Sequence, residues 1–175
     1  MNNIAIILGS TRPNRIGKAV AKWVHEIACK RNDATFELVD IKEYNLSLLD
    51  EPITASQGKY SKEHAKKWAA KIDSFDAYIF VTPEYNQSIP GVPKNAIDFL
   101  YKEWDNKAAG FVSYGSAGGS SAVEHLRLDM AELMIADLRT QVMLSLATDF
   151  VNFSEFKPDV RHVQEVNTLL DQLNV

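Results

Sequence analysis

Five short apolar runs alternate with five segments of helical period, and this alternation constrains the fold more than any other feature. "NIAIIL" (residues 3–8), "TFELVDI" (35–41), "AYIFVTP" (77–83), "AAGFVSY" (108–114) and "TQVMLSL" (140–146) have strand length. Several are too uniformly apolar for a sheet with one wet face. Between and after them, apolar residues return every three or four positions. Val20, Trp23, Val24 and Ile27 predict a helix over 17–31, and Ala65, Trp68, Ala69 and Ile72 predict another. Pro93 suits the first turn of a helix running to about 102. Val123, Leu126, Met130 and Leu133 mark the fourth, and Val163, Val166, Leu169 and Leu173 the last. A strand–helix unit repeated five times implies a parallel sheet covered on both faces. The expected architecture is α/β, doubly wound, with strand order 2-1-3-4-5 and one domain over residues 1–175.

Such sheets bind ligands beyond the carboxyl ends of their strands, at the switch point between strands 1 and 3. Three unusual stretches fall there: "GSTRPNRIG" after the first strand, "PEYNQSIPGVPKN" after the third and "GSAGGSS" after the fourth. The first offers hydroxyls, arginines and the start of a helix, which is an anion site. It fits neither common nucleotide fingerprint. Seven residues separate Gly9 from Gly17 and Ala19 follows Lys18, so it is no Walker loop; Thr11 stands where a dinucleotide loop needs glycine. A terminal monophosphate remains. The second stretch holds three prolines and a glycine, so it is stiff enough to present backbone groups to the edge of a flat ring, with Tyr85 as a stacking surface. The third lets a ligand approach the backbone closely, and it lacks the G-x-S-x-G nucleophile spacing. The connection over 42–60 is long for a compact domain and often such a loop has a function.

The remaining features set bounds. Net charge is −4, which argues against a duplex nucleic acid partner. No apolar run reaches membrane-spanning length, and the start lacks the basic region of a secretory signal. With one cysteine, Cys29, there is no internal disulfide, so a cytoplasmic setting is expected. His25 and Cys29 stand four apart on a helix without a further ligand, and no metal site is expected. Trp23 and Trp68 lie on core stripes. Lys62, Lys66, Lys67 and Lys71 form an exposed face, as do Glu124 and His125.

Together "GSTRPNRIG", "LLDEP", "TPEYNQSIPGVPKNAIDFLYKEW" and "KAAGFVSYGSAGGSSAVEHLR" resemble the NAD(P)H-dependent FMN reductases, a flavodoxin-like family that includes quinone, azo-dye and chromate reductases. The matching pieces come in that family's order and span most of the chain; Pro93 departs from it, where members more often carry leucine. The resemblance implies FMN as cofactor and NADPH or NADH as co-substrate. It assigns Ser10, Arg12, Arg15, Ile16 and Gly17 to the phosphate loop. Pro83, Glu84, Tyr85 and Asn86 would run along the isoalloxazine, and Ser113, Gly115, Ser116 and Gly118 would border its pyrimidine end and the ribityl chain. Hydride would pass from the nicotinamide to flavin N5 and then to a small-molecule acceptor such as free flavin, a quinone or an azo compound. The flavin carries that chemistry, so no catalytic side chain is named. The start of the fourth helix is expected to stabilise the reduced ring. The alternatives are a flavodoxin-type electron carrier, which a pI near 5.6 disfavours, and a flavin-bound redox sensor. "FLYKEW", residues 99–104, crowds Phe99, Leu100, Tyr101 and Trp104 together, more than one helix face can bury. With the family's habit, this implies a homodimer or homotetramer.

Overall fold

The computed structural model describes residues 1–174. The elements run β1 (Asn2–Leu8), α1 (Gly17–Ala28), β2 (Ala34–Asp40), α2 (Glu63–Asp73), β3 (Ala77–Pro83), α3 (Gly91–Asp98), β4 (Ala108–Gly115) and α4 (Ser120–Glu132). They end with β5 (Ala136–Ser145), β6 (Phe150–Val151), β7 (Glu155–Phe156) and α5 (Arg161–Leu173). β1 to β5 form a parallel sheet in the order β2-β1-β3-β4-β5, the expected doubly wound arrangement.

The sheet separates two apolar cores, and strand alternation divides the residues between them. Ile4, Ile6 and Leu8 of β1 join Val20 and Val24 of α1 and Val166 and Leu169 of α5 on one face. Ala5 and Ile7 join Trp68, Tyr78, Phe80 and Trp104 on the other. Each central strand is buried on both sides, so it reads as a continuous apolar run. α5 presses so closely on β4 that a Cβ on Gly110 would lie 2.9 Å from Leu169 Cδ2.

Three boundaries differ from the sequence expectation by more than a residue, the first being α1, which ends at Ala28 rather than 31. β5 starts four residues earlier, at Ala136. Its first residues mix polar and apolar types and are largely exposed because it is an edge strand, and Asp137 there pairs with Arg127 of α4. α3 stops at Asp98 rather than near 102. That early stop overturns the crowding inferred for "FLYKEW". Once the chain leaves the helix, Phe99, Leu100 and Trp104 all turn into this chain's own core. Trp104 packs edge-on against Tyr78 at 4.9 Å and donates Nε1–H to Ile97 O at 3.3 Å. Only Tyr101 of the four stays half-buried. These rings therefore give no reason for a second subunit.

The segment 42–60 holds two short 3-10 turns, Ile41–Tyr44 and Ala55–Gln57. Its motif residues order it: Asn95 of α3 accepts from Leu49 N at 2.9 Å and donates to Ser47 O at 2.8 Å. Glu51 accepts from the Ser61 and Lys62 amides at the head of α2. Two sequence pieces some 45 residues apart thus dock on each other.

Candidate cofactor site

The topology gathers three loops at one end of the sheet. Arg12, Arg15 and Ile16 of the first loop, Pro83, Glu84 and Tyr85 of the second, and Tyr114 and Gly115 of the third line one cleft. Leu146 and Phe153, from beyond β5, complete its rim.

The first loop begins at Gly9, whose amide donates to Val81 O at 2.9 Å. A Cβ there would lie 3.0 Å from that carbonyl and 3.6 Å from the Pro93 ring, so the loop leaves the sheet tightly packed. Pro93 sits buried in the first turn of α3 and forms part of that packing. Ser10 is buried; its Oγ meets no partner in good hydrogen-bond geometry among the described residues, and the polar group it faces is the Tyr114 hydroxyl. A buried hydroxyl without a partner is costly, so it marks a place where a polar group belongs. It stands at the head of α1 beside Gly17, where a Cβ would lie 2.8 Å from Ser10 Oγ and would overlap the Tyr114 hydroxyl. Burial pushes that phenol up to about 12, so Tyr114 stays a neutral donor.

The two arginines have different roles. Arg15 is committed within the protein: its guanidinium donates to Ser10 O and makes a two-pronged pair with Asp40 at the end of β2. Both partners of that pair are nearly buried. Arg15 is thus a strut that fixes the loop's shape. Arg12 is exposed and forms no ion pair among the described residues, which leaves its charge available to an anion.

The second loop turns at once. Tyr85 N donates to Ser88 O at 2.9 Å and Ser88 N to Tyr85 O at 3.1 Å. Asn86 and Gln87 between them both have positive φ, 52° and 66°, which defines a two-residue type I′ turn. Asn is well suited to the first position. Gln87 is held by its side chain, which accepts from Ser121 Oγ at 2.9 Å, and Ser88 Oγ lies 2.9 Å from His125 Nδ1. Tyr85 projects half-exposed into the cleft.

In the third loop Gly118 and Gly119 take φ of 70° and 75°. A Cβ on Gly119 would lie 2.8 Å from Ser113 Cβ, so side chains are excluded there. Ser113 is wholly buried and donates to Gly118 O at 2.6 Å; it holds the loop from beneath rather than facing the cleft. Ser116 is exposed at the loop's tip. The start of α4 is not open to a ligand as expected. The Glu84 carboxylate occupies it, accepting from Ser121 N at 3.1 Å and Ala122 N at 3.4 Å. That negative charge already neutralises the helix end.

Residues 2–149 match the model of the NADPH-dependent FMN reductases. The chain belongs to that family. It is 39% identical over 167 residues to the NAD(P)H-dependent FMN reductase ntnL of Nectria sp, spanning 91% of this chain and 83% of that protein. It is 33% identical over 138 residues to a quinone reductase of Pseudomonas putida, covering 75% and 70% of the two chains. Among solved structures, FerB, a flavoenzyme NAD(P)H:(acceptor) oxidoreductase from Paracoccus denitrificans, aligns over 99% of this chain and 96% of its own with TM-score 0.77 at 21% identity, a likeness of fold.

Tyr114, Asp40, Leu146 and Phe153 escaped the sequence reading. Tyr114 directly precedes "GSAGG", and its place at a strand's carboxyl end was the available signal. Asp40 had the same signal at the end of β2, but its pairing with Arg15, 25 positions away, had none. Other outlying features are structural. Trp68 is buried, while Trp23 is half-buried against Phe156. Cys29 Sγ lies 3.3 Å from His25 Nε2. Lys66 and Lys71 pair with Glu63 and Glu37 on an outer face. No described helix is long and apolar enough to cross a membrane.

Proposed function

We propose that the cleft holds FMN and that the chain is an NAD(P)H-dependent oxidoreductase reducing free flavin, quinones or azo compounds. The observation that carries the reading is the buried Ser10 hydroxyl at the head of α1, without a partner in good geometry, with the uncommitted Arg12 beside it. Helix start, hydroxyl and guanidinium together form a phosphate cradle, and Gly17 leaves room at its edge for the Ser10 and Tyr114 hydroxyls. Ser10 and Arg12 would hold the phosphate; Tyr85 and the backbone of 83–86 would flank the ring; Gly115, Ser116 and Gly118 would border the rest. When bound, FMN supplies hydride acceptance and onward electron transfer. The protein's part is positioning. Arg15 and Ser113 act one layer below, keeping two of the loops in shape.

Absorbance of the purified protein before and after anaerobic NADPH tests the proposal. The expected result is an oxidised FMN spectrum that bleaches and returns on adding a quinone, with catalytic turnover. FMN that binds without being reduced supports the carrier or sensor reading. Stoichiometric FAD, or no flavin affinity, contradicts the cleft assignment.

A cytoplasmic setting, supported by the exposed, unpaired Cys29, and a homodimer or homotetramer complete the proposal. The support for assembly is an apolar patch on the 42–60 segment, where Leu48 is 86% exposed beside Leu49. Light scattering at micromolar concentration reads the mass; a monomer with FMN bound and full activity removes this part.

A further inference from the structure

We propose that Phe153 is a cofactor-retaining residue, a ring that closes the mouth of the FMN cleft and sets how fast the cofactor leaves. The inference rests on the cleft's assignment to FMN and goes beyond it. The family match ends at Asp149, just before the segment that carries this residue.

β6 and β7 form a minimal hairpin, with Phe150 opposite Phe156 and Val151 opposite Glu155. Its turn closes by Ser154 N donating to Val151 O at 3.1 Å. Asn152 and Phe153 at its centre have φ of 51° and 56°. Asn tolerates that region, but a bulky aromatic residue does so only against steric strain. Nothing in the hairpin's own packing needs that ring: Phe153 is 69% exposed and lies outside both apolar cores. Phe153 lies on the rim of the cleft, with Arg12 and Tyr85 among the other lining residues. A strained backbone that presents an exposed ring to a ligand cleft is the pattern expected of a functional contact.

The hairpin's base is fixed while its tip is free. Phe150 is buried between Tyr114 and Phe156, at ring distances of 6.0 and 5.2 Å. Asp149 is fully buried and accepts from Ser145 N, Asp159 N and Thr148 Oγ1 at 2.9 to 3.1 Å. His162 of α5 faces it at 3.0 Å and faces Glu165 at 2.7 Å on its other nitrogen. The hairpin therefore has a rigid root and one apolar ring at its end, which suits a cover that admits the cofactor and then shields it.

FMN release, followed as recovery of flavin fluorescence on dilution of the holoprotein, tests this. Phe153→Asn keeps a residue suited to positive φ while removing the ring, so the turn is retained. Release is expected to accelerate about tenfold, with association changed little, because contacts formed after encounter act mainly on the dissociation rate. Phe153→Tyr should restore slow release, and the ring-free apoproteins should melt no lower than the parent, since Asn and Gly relieve the positive-φ strain. Phe153→Gly gives a second ring-free variant should the Asn form fold poorly. Parental release rates in the ring-free variants overturn the inference, whether or not the protein's mass changes. A parent that binds no FMN instead overturns the cleft assignment, and this inference with it.

Discussion

Two type I′ turns border the cleft, and they are held in opposite ways. The turn at 85–88 is fastened at its tip and flank: Gln87 to Ser121, Ser88 to His125 and the neighbouring Glu84 to the start of α4. The turn at 151–154 is fastened only at its root, through the buried Asp149 and His162, and its tip carries an exposed ring. Both depart from the hairpin ideal in lacking glycine. The first offsets this with side-chain hydrogen bonds, and the second has none at its Phe153. A fastened turn makes a wall against which a flat cofactor is positioned. A rooted turn with a free tip makes a cover.

The contrast predicts unequal costs for removing the two acids. Asp149→Ala takes the acceptor from two amides and a hydroxyl and leaves the buried ring of His162 without its partner, and should cost about 3–5 kcal/mol by denaturant unfolding. Burial pushes the Asp149 carboxyl up, but its donors and His162 outweigh this and hold it below the usual carboxylate range. Its contribution is therefore present above the unfolded-state value and lost as pH falls through the folded one. The parent's stability should decline at acid pH more steeply than that of the variant. Glu84→Ala removes a carboxylate from a helix start and should cost only about 1 kcal/mol. Equal costs would erase the distinction between a rooted and a fastened turn.

What the chain discloses in one dimension follows the same division. The sheet was legible because central strands buried on both faces must be apolar throughout, as in "NIAIIL" and "AYIFVTP". The three cleft loops were legible because a parallel sheet delivers all strand ends to one side. The early end of α3 was not, since "FLYKEW" has no breaker and only tertiary packing turns Trp104 inward. The second hairpin was not, since its strands are two residues long and "VNFSEF" lacks the Gly or Pro that announces a turn. The roles of Arg12 and Arg15 look interchangeable in "GSTRPNRIG". Asp40, together with the Ser10 carbonyl, distinguishes them, and it arrives on another strand.

The most direct test of the account is the affinity for FMN against that for riboflavin, which lacks the phosphate, in the parent and in Arg12→Ala. The parent should strongly prefer FMN. Loss of a charge-assisted contact of about 1.5–3 kcal/mol should weaken FMN binding in Arg12→Ala by about one to two decades and leave riboflavin binding nearly unchanged. A parent that binds riboflavin as tightly as FMN, or an Arg12→Ala variant that weakens both equally, would contradict the placement of the phosphate at the head of α1.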